Sequence, residues 1–309
     1  EGIMSDGAEI VRIPDWGRYG WLRHGFSTRR GGFSTVYGGK SLNLGWTKED
    51  EPGRVAENRW CFVRFLGGDL HGEDGPVDGW RMVTLRQAHS DLVHVVGREA
   101  LEGALETSEG KAVLEGDGLM TDVPGVLLAV GTADCVPVLV VDVGKRVVAA
   151  FHAGWRGTAA GIVEGGVAKM REEYGSRAED LIAAVGPSIG ACCYAVGEEV
   201  RTAFGRFSYA EELFRVREEN GHASDDIHLS GDEAAAKMGH RVLGESKLYV
   251  DLWEANRRQL VSAGLDAGKV WVVGECTACA VSGGERKYFS HRADRGVAGR
   301  MLSAVGVVE

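Results

Sequence analysis

Between residues 126 and 152 the chain runs through VLLAVGT, VPVLVVD and RVVAAFH with only short polar steps between them. Each segment is apolar at nearly every position and rich in β-branched side chains. That pattern marks strands covered on both faces, because a strand with one wet face alternates. The four residues DVGK (142–145) sit between the second and third segments and read as the turn of a hairpin, so the sheet is mixed rather than purely parallel. MVTLRQ (82–87), LIAAVG (181–186) and KVWVVG (269–274) add three further predicted strands.

Helices alternate with these strands. After HAGWRG a helix of about four turns is predicted, with Ala159, Val163, Val167, Met170 and Tyr174 on one face. VDLWEANRRQLVSAG predicts another, with Asp251 as N-cap and Gly264 as its stop. The 309 residues contain no repeat, low-complexity tract or Pro/Ser-rich linker. The expected architecture is therefore a single layered α/β (α+β) domain over 21–309, mixed β-sheets flanked by helices, preceded by an extension at 1–20. A polar excursion is expected at 207–248.

Charge excludes some functions. With 35 basic and 45 acidic residues the net charge is -10, which offers no general attraction to nucleic acid or acidic membranes. No apolar run approaches the ~20 residues of a membrane helix. EGIMSDGAEIVRIPDWG lacks the basic start and apolar core of a secretory signal. Six cysteines spread over so long a chain do not form a disulfide scaffold, which favours a reducing cytoplasm.

Cys135 stands in TADC, ahead of one strand, and His152 closes the next, ahead of Gly-Trp-Arg-Gly. The two could be core filler, a Cys–His catalytic pair, or two ligands of one metal. Zinc accepts both side chains, and a catalytic zinc keeps three protein ligands and one open position. His89, in LRQAHSDLVHVV, is the candidate third ligand, whereas His94 falls on the opposite face of an extended chain. The glycines at 154, 157 and 161 fit either a tight turn or an anion site completed by Arg156. FSTRRGGFS (26–34) is either a hairpin tip or an arginine pair aimed at a phosphate. The vicinal Cys192 and Cys193 read as structural, as does the CTAC of Cys276 and Cys279, because no second CxxC exists to complete a zinc knuckle.

HGFSTRRGGFS, SLNLG, RQAHSDLVHVV, GDGLMTDVPGVLLAVGTADCVPVLVVD, AAFHAGWRGTAAGIVE, GPSIGACCYAVGEEV, VDLWEANRRQL and KYFSHRADRGVAGR occur in that order. Together they resemble the YfiH-like family, long labelled multicopper polyphenol oxidase or laccase-domain and also described as purine nucleoside phosphorylases. The resemblance runs from about residue 21 to the C-terminus. It implies a YfiH-like fold and a zinc site of His89, Cys135 and His152, the same three residues the chemistry selects. It further implies phosphorolysis of adenosine, inosine, guanosine and S-methyl-5′-thioadenosine, and deamination of adenosine, by a monomer or homodimer that takes a purine nucleoside and phosphate.

On that basis the pocket is expected to hold Arg30, Asn43, Asp134 and Arg156. Arg30 and Arg156 would bind phosphate, Asn43 would contact substrate, and Asp134 would transfer a proton or fix its turn. The older label suggests copper as the other metal and polyphenol oxidase (laccase) activity as an alternative. Multicopper oxidases need HxH pairs, however, and none of the nine histidines forms one. Two positions depart from the family pattern: His291 stands for its usual Tyr and Ala293 for its second Arg. Two rival functions follow from the same residues. One is a metal-independent hydrolase with Cys135 as nucleophile and His152 as base; the other is a binding protein whose zinc is fully ligated.

Overall fold

The apolar strands need cover on both faces, and the structure supplies it with four layers. A computed structural model describes residues 8–67, 80–218 and 246–308. Its larger sheet runs, in spatial order, Val270–Val272, Leu181–Val185, Val136–Asp142, Val147–Ala153, Gly118–Thr121 and Val93–Val95. The outermost pair at each edge is parallel and the inner pairs are antiparallel, so the sheet is mixed as expected. Its central hairpin turns where Asp142 Oδ1 accepts from Gly144 N and Lys145 N, each at 2.9 Å.

The second sheet runs Ile10–Val11, Leu22–Ser27, Met301–Val307, Val126–Thr132 and Arg81–Val83. VLLAVGT and VPVLVVD thus lie in different sheets, and residues 133–135 carry the chain from one to the other. Side-chain parity then defines the layers. Val138, Val140, Ala149 and Phe151 face the helices Ile162–Tyr174 and Leu252–Ser262. Leu139, Val141, Val148 and Ala150 face Leu128, Val130 and Val305 of the second sheet. That sheet's far side, through Leu127, Ala129 and Ala304, packs on Phe62, Val63 and Leu66 of the helix Pro52–Gly67.

Several expectations need adjusting. The four-turn helix is two helices, Trp155–Ala160 and Ile162–Tyr174, broken where Gly161 takes φ +86°. Of MVTLRQ only Met82 and Val83 lie in a strand, Arg81–Val83, after which Arg86 makes an isolated bridge to Glu115. Within the 1–20 stretch, Ile10–Val11 pairs with Leu22–Ser27 and Trp16 is buried, so its described part is built into the second sheet. The 207–248 stretch is partly β: Phe214–Glu218 pairs with Ser246–Val250, and positions 219–245 lie outside the described residues. The helix at Leu252–Ser262 is capped as expected, Asp251 accepting from Glu254 N, with Gly264 following at φ +102°. Among the described residues no helix is long and apolar enough to cross a membrane.

Candidate metal centre

The hairpin register pairs Pro137 with His152. His152 therefore points with Val148 and Ala150 to the side that faces the other sheet, at the end of the sandwich. Cys135 shares the parity of Pro137 and Leu139 and emerges at the same end. His89 arrives on the loop after Leu85. The nitrogens and sulfur these three side chains offer all lie within 4.8 Å of one another. Cys135 Sγ is 3.9 Å from His89 Nε2, and the two imidazole centroids are 4.9 Å apart. This grouping could hold a metal ion. His94 is directed elsewhere, its Nε2 meeting the Glu115 carbonyl at 2.8 Å.

Asp117, which the sequence reading did not single out, sets much of this geometry. Its carboxylate is fully buried and takes His152 Nδ1 at 2.7 Å, which turns His152 Nε2 toward the thiol. It also accepts from the backbone N–H groups of Ala88, His89 and Ser90 and from the Ser90 hydroxyl, at 2.6–3.2 Å. His89 needs that support, because its φ of +59° lies in the left-handed region, which non-glycine residues adopt uncommonly. One buried carboxylate thus orients one imidazole and pins the loop that presents the other, as outer-shell carboxylates do around metal-binding histidines.

Asp134 plays the matching part for Cys135. Its φ of +95° makes the turn between the sheets. Such a conformation costs on the order of 1–3 kcal/mol and persists only where the surroundings fix it. Here Thr277 Oγ1 donates to Asp134 Oδ1 and Arg292 N to Oδ2, both at 2.7 Å, while Ile189 N meets the Asp134 carbonyl at 2.9 Å. Both carboxylate oxygens are engaged in holding the turn. Gly154 closes the arrangement: a Cβ there would stand 3.0 Å from Cys135 Sγ and 3.1 Å from His89 Cδ2.

The three groups also shift one another's ionisation. Burial works against a thiolate at Cys135, but the neighbouring His152 and then His89 outweigh it and draw the thiol down to about 6. Burial likewise opposes an imidazolium at His152, yet Cys135 and Asp117 raise it to about 9. Asp117 is held well below the usual carboxylate range, its burial overridden by hydrogen bonds from His152 and Ser90. Without a metal, these directions favour a thiolate beside an imidazolium.

A cavity of about 550 Å³ opens above this centre. Arg59, Arg156, Arg292 and Arg300 line it with Trp46, Trp155, Tyr194 and His291. Arg156 leans on the Trp155 ring at 4.3 Å, and Arg292 is anchored to the Ala195 carbonyl at 3.0 Å. Of the expected pocket residues, Asp134 and Arg156 are in this lining, whereas Arg30 and Asn43 are not. Arg30 is turned to Ser282, donating to its hydroxyl at 3.2 Å and to its carbonyl. Asn43 is buried and occupied with Asp50, Gly45 and Arg300 N. Their residue types suited the task, but the sequence does not say which loop reaches the sandwich end. Ala293 serves the C-terminal loop, its N–H donating to Ser290 Oγ at 3.1 Å.

The family model described as "Multi-copper polyphenol oxidoreductase laccase" matches residues 23–308. The chain belongs to this family. Its relatives carry other names. A Geobacillus stearothermophilus protein named purine nucleoside phosphorylase YlmD is 33% identical over 297 residues, 93% of this chain and 94% of that protein. A protein from an unknown prokaryotic organism named adenosine deaminase RL5 is 32% identical over 255 residues, 82% of this chain and 84% of that one. The crystal structure of Bacillus licheniformis hypothetical protein YfiH superposes with a TM-score of 0.75 at 31% identity, covering 98% of this chain and 97% of that chain. The YfiH-like fold and the family expected from the motifs are those of this chain.

Proposed function

We propose that the chain is a zinc-dependent purine nucleoside phosphorylase that also deaminates adenosine, with His89, Cys135 and His152 as ligands. The convergence of those three donors within 4.8 Å at the base of an arginine-lined cavity carries the reading. Zinc bonds of about 2.0–2.3 Å to nitrogen and sulfur put tetrahedral ligands roughly 3.3–3.8 Å apart, which small movements of these side chains reach. When bound, the ion supplies a Lewis-acid charge beside the reacting atoms. The names of YlmD and RL5 supply the substrate class.

The remaining roles belong to the chain's own side chains. A cavity of about 550 Å³ suits a nucleoside with phosphate. Trp46, Trp155 and Tyr194 offer aromatic faces to a purine. Arg156 holds the phosphate that attacks C1′ as the bond to the base breaks, with Arg292 and Arg300 adding positive charge to the same wall. Asp134 enters as a positioning residue and Asp117 as the group that orients His152. Arg30 and Asn43 have no part, since neither reaches the cavity.

Metal analysis beside inosine and adenosine turnover, for wild type and Cys135→Ala, tests the proposal. The variant should lose one zinc ion per chain together with phosphate-dependent release of hypoxanthine and adenine. Unchanged metal content, or wild-type protein without purine turnover, would overturn it. One observation favours a second reading, a Cys–His hydrolase: His152, oriented by Asp117 at 2.7 Å, brings a ring nitrogen within 4.8 Å of the Cys135 sulfur, as a base beside a nucleophile. Activity that survives chelation but not alkylation of Cys135 would select it.

A further inference from the structure

Away from the cavity, the fold joins two motifs that look unrelated in the sequence. Cys192 and Cys193 lie in GACCY; Cys276 and Cys279 form CTAC. Cys192 and Cys279 are 87 positions apart, yet their sulfurs are 3.6 Å apart. All four sulfurs lie within 4.8 Å of one another. The partner missing from the lone CxxC is therefore not a second CxxC but the vicinal pair. All four are free thiols.

The backbone around the cluster is arranged as in a metal knuckle. Ser188 and Cys276 form a parallel β-bridge, and Thr277 N donates to the Ser188 carbonyl at 3.0 Å, so the two loops run side by side. Each loop then turns tightly. Cys193 N and Tyr194 N close on the Gly190 carbonyl at 2.9 and 3.0 Å, and Ala280 N closes on the Cys276 carbonyl at 2.8 Å. Gly190 N–H, from the opposite loop, points at Cys276 Sγ at 3.3 Å. Such a bond stabilises a sulfur carrying negative charge.

We infer that Cys192, Cys193, Cys276 and Cys279 form a second metal site, a tetrathiolate centre for one zinc ion that clamps the loop reaching the cavity at Tyr194 to the loop that holds Asp134. Four sulfurs around a tetrahedral zinc at about 2.3 Å stand roughly 3.8 Å apart. The observed spacing brackets that value, and it is too tight for an iron–sulfur cluster whose thiolates sit on different irons. Four protein ligands leave no open position, so this ion serves structure. What it holds is specific. Thr277, between the two thiols of CTAC, is one of the two donors to the Asp134 carboxylate. Tyr194, next to Cys193, lines the cavity. The clamp thereby supports the turn that presents Cys135.

Protein expressed with zinc and purified anaerobically allows the test, by native mass spectrometry and elemental analysis. Wild type should carry two zinc ions per chain. Cys135→Ala and the double variant Cys276→Ser/Cys279→Ser should each carry one, and a variant combining all three changes none. In cobalt-loaded Cys135→Ala, the spectrum should show the thiolate charge-transfer and tetrahedral ligand-field bands of a four-sulfur site. If the double serine variant fails to fold, Cys135→Ala alone decides, because it leaves the cluster intact. Absence of metal and of those bands in Cys135→Ala overturns the inference. So does a Cys192–Cys279 disulfide in the freshly purified wild type. Failure of the His89–Cys135–His152 centre would show differently, as equal metal content in wild type and Cys135→Ala.

Discussion

At the scale of single residues, the geometry of the candidate centre depends on groups other than its three donors. Asp117→Asn should keep the fold but weaken metal binding about 10–100-fold, as loss of outer-shell partners does. Competition with a chromophoric chelator measures this, and an unchanged affinity would remove Asp117 from the account. Gly154→Ala places a methyl group against Cys135 Sγ and His89 Cδ2, at 3.0 and 3.1 Å. It should lower metal affinity while the thermal midpoint moves little, since φ at Gly154 is an ordinary −62°. A large loss of stability with intact affinity would contradict that. The grouping of His89, Cys135 and His152 was legible in the sequence because imidazole and thiol are the side chains that can share one ion. Asp117 was not, because a carboxylate between two glycines in GDG looks the same whether it fixes a turn or orients a histidine. Arg30 misled for the opposite reason: a fine phosphate residue by type, it is folded back onto Ser282.

The strands and helices were mostly legible, though their assembly was less so. Continuous apolar runs announced strands buried on both faces, and Asp251 announced its helix. Nothing in VLLAVGT and VPVLVVD reveals that the chain changes sheets between them, because burial looks alike on either side. Met301–Val307, central in the second sheet, escaped notice because small residues dilute its pattern. Packing gives this element-level picture a test. Leu139 is fully buried between the two sheets, so Leu139→Ala should cost about 2–5 kcal/mol. Urea midpoints would measure it, against Val272→Ala at a 38% exposed site on the sheet edge, where the loss should stay within about 0.5 kcal/mol. Equal losses at the two positions would refute the layered arrangement.

At the scale of the whole molecule, acid sensitivity should begin outside the candidate metal centre. His24 is buried in the second sheet, where its Nε2 accepts from Ile13 N at 2.9 Å. Burial first, then Arg12, pushes it down from 6.5 to about 4. Between those values the unfolded chain binds a proton that the folded chain refuses. Stability is therefore full above about pH 6.5 and is lost as pH falls toward 4, by on the order of 3 kcal/mol. Urea midpoints across that window should slope in wild type and flatten in His24→Gln; parallel slopes would refute this. The turn at Asp134 has a consequence for how such a protein diversifies. Ligand geometry is stored in hydrogen bonds to two buried carboxylates, while the Tyr194 and His291 side chains line the cavity without taking part in them. Exchange of Tyr194 or His291 should therefore retune which small molecule is accepted without disturbing the three donors, and one inherited core can serve descendants with different diets.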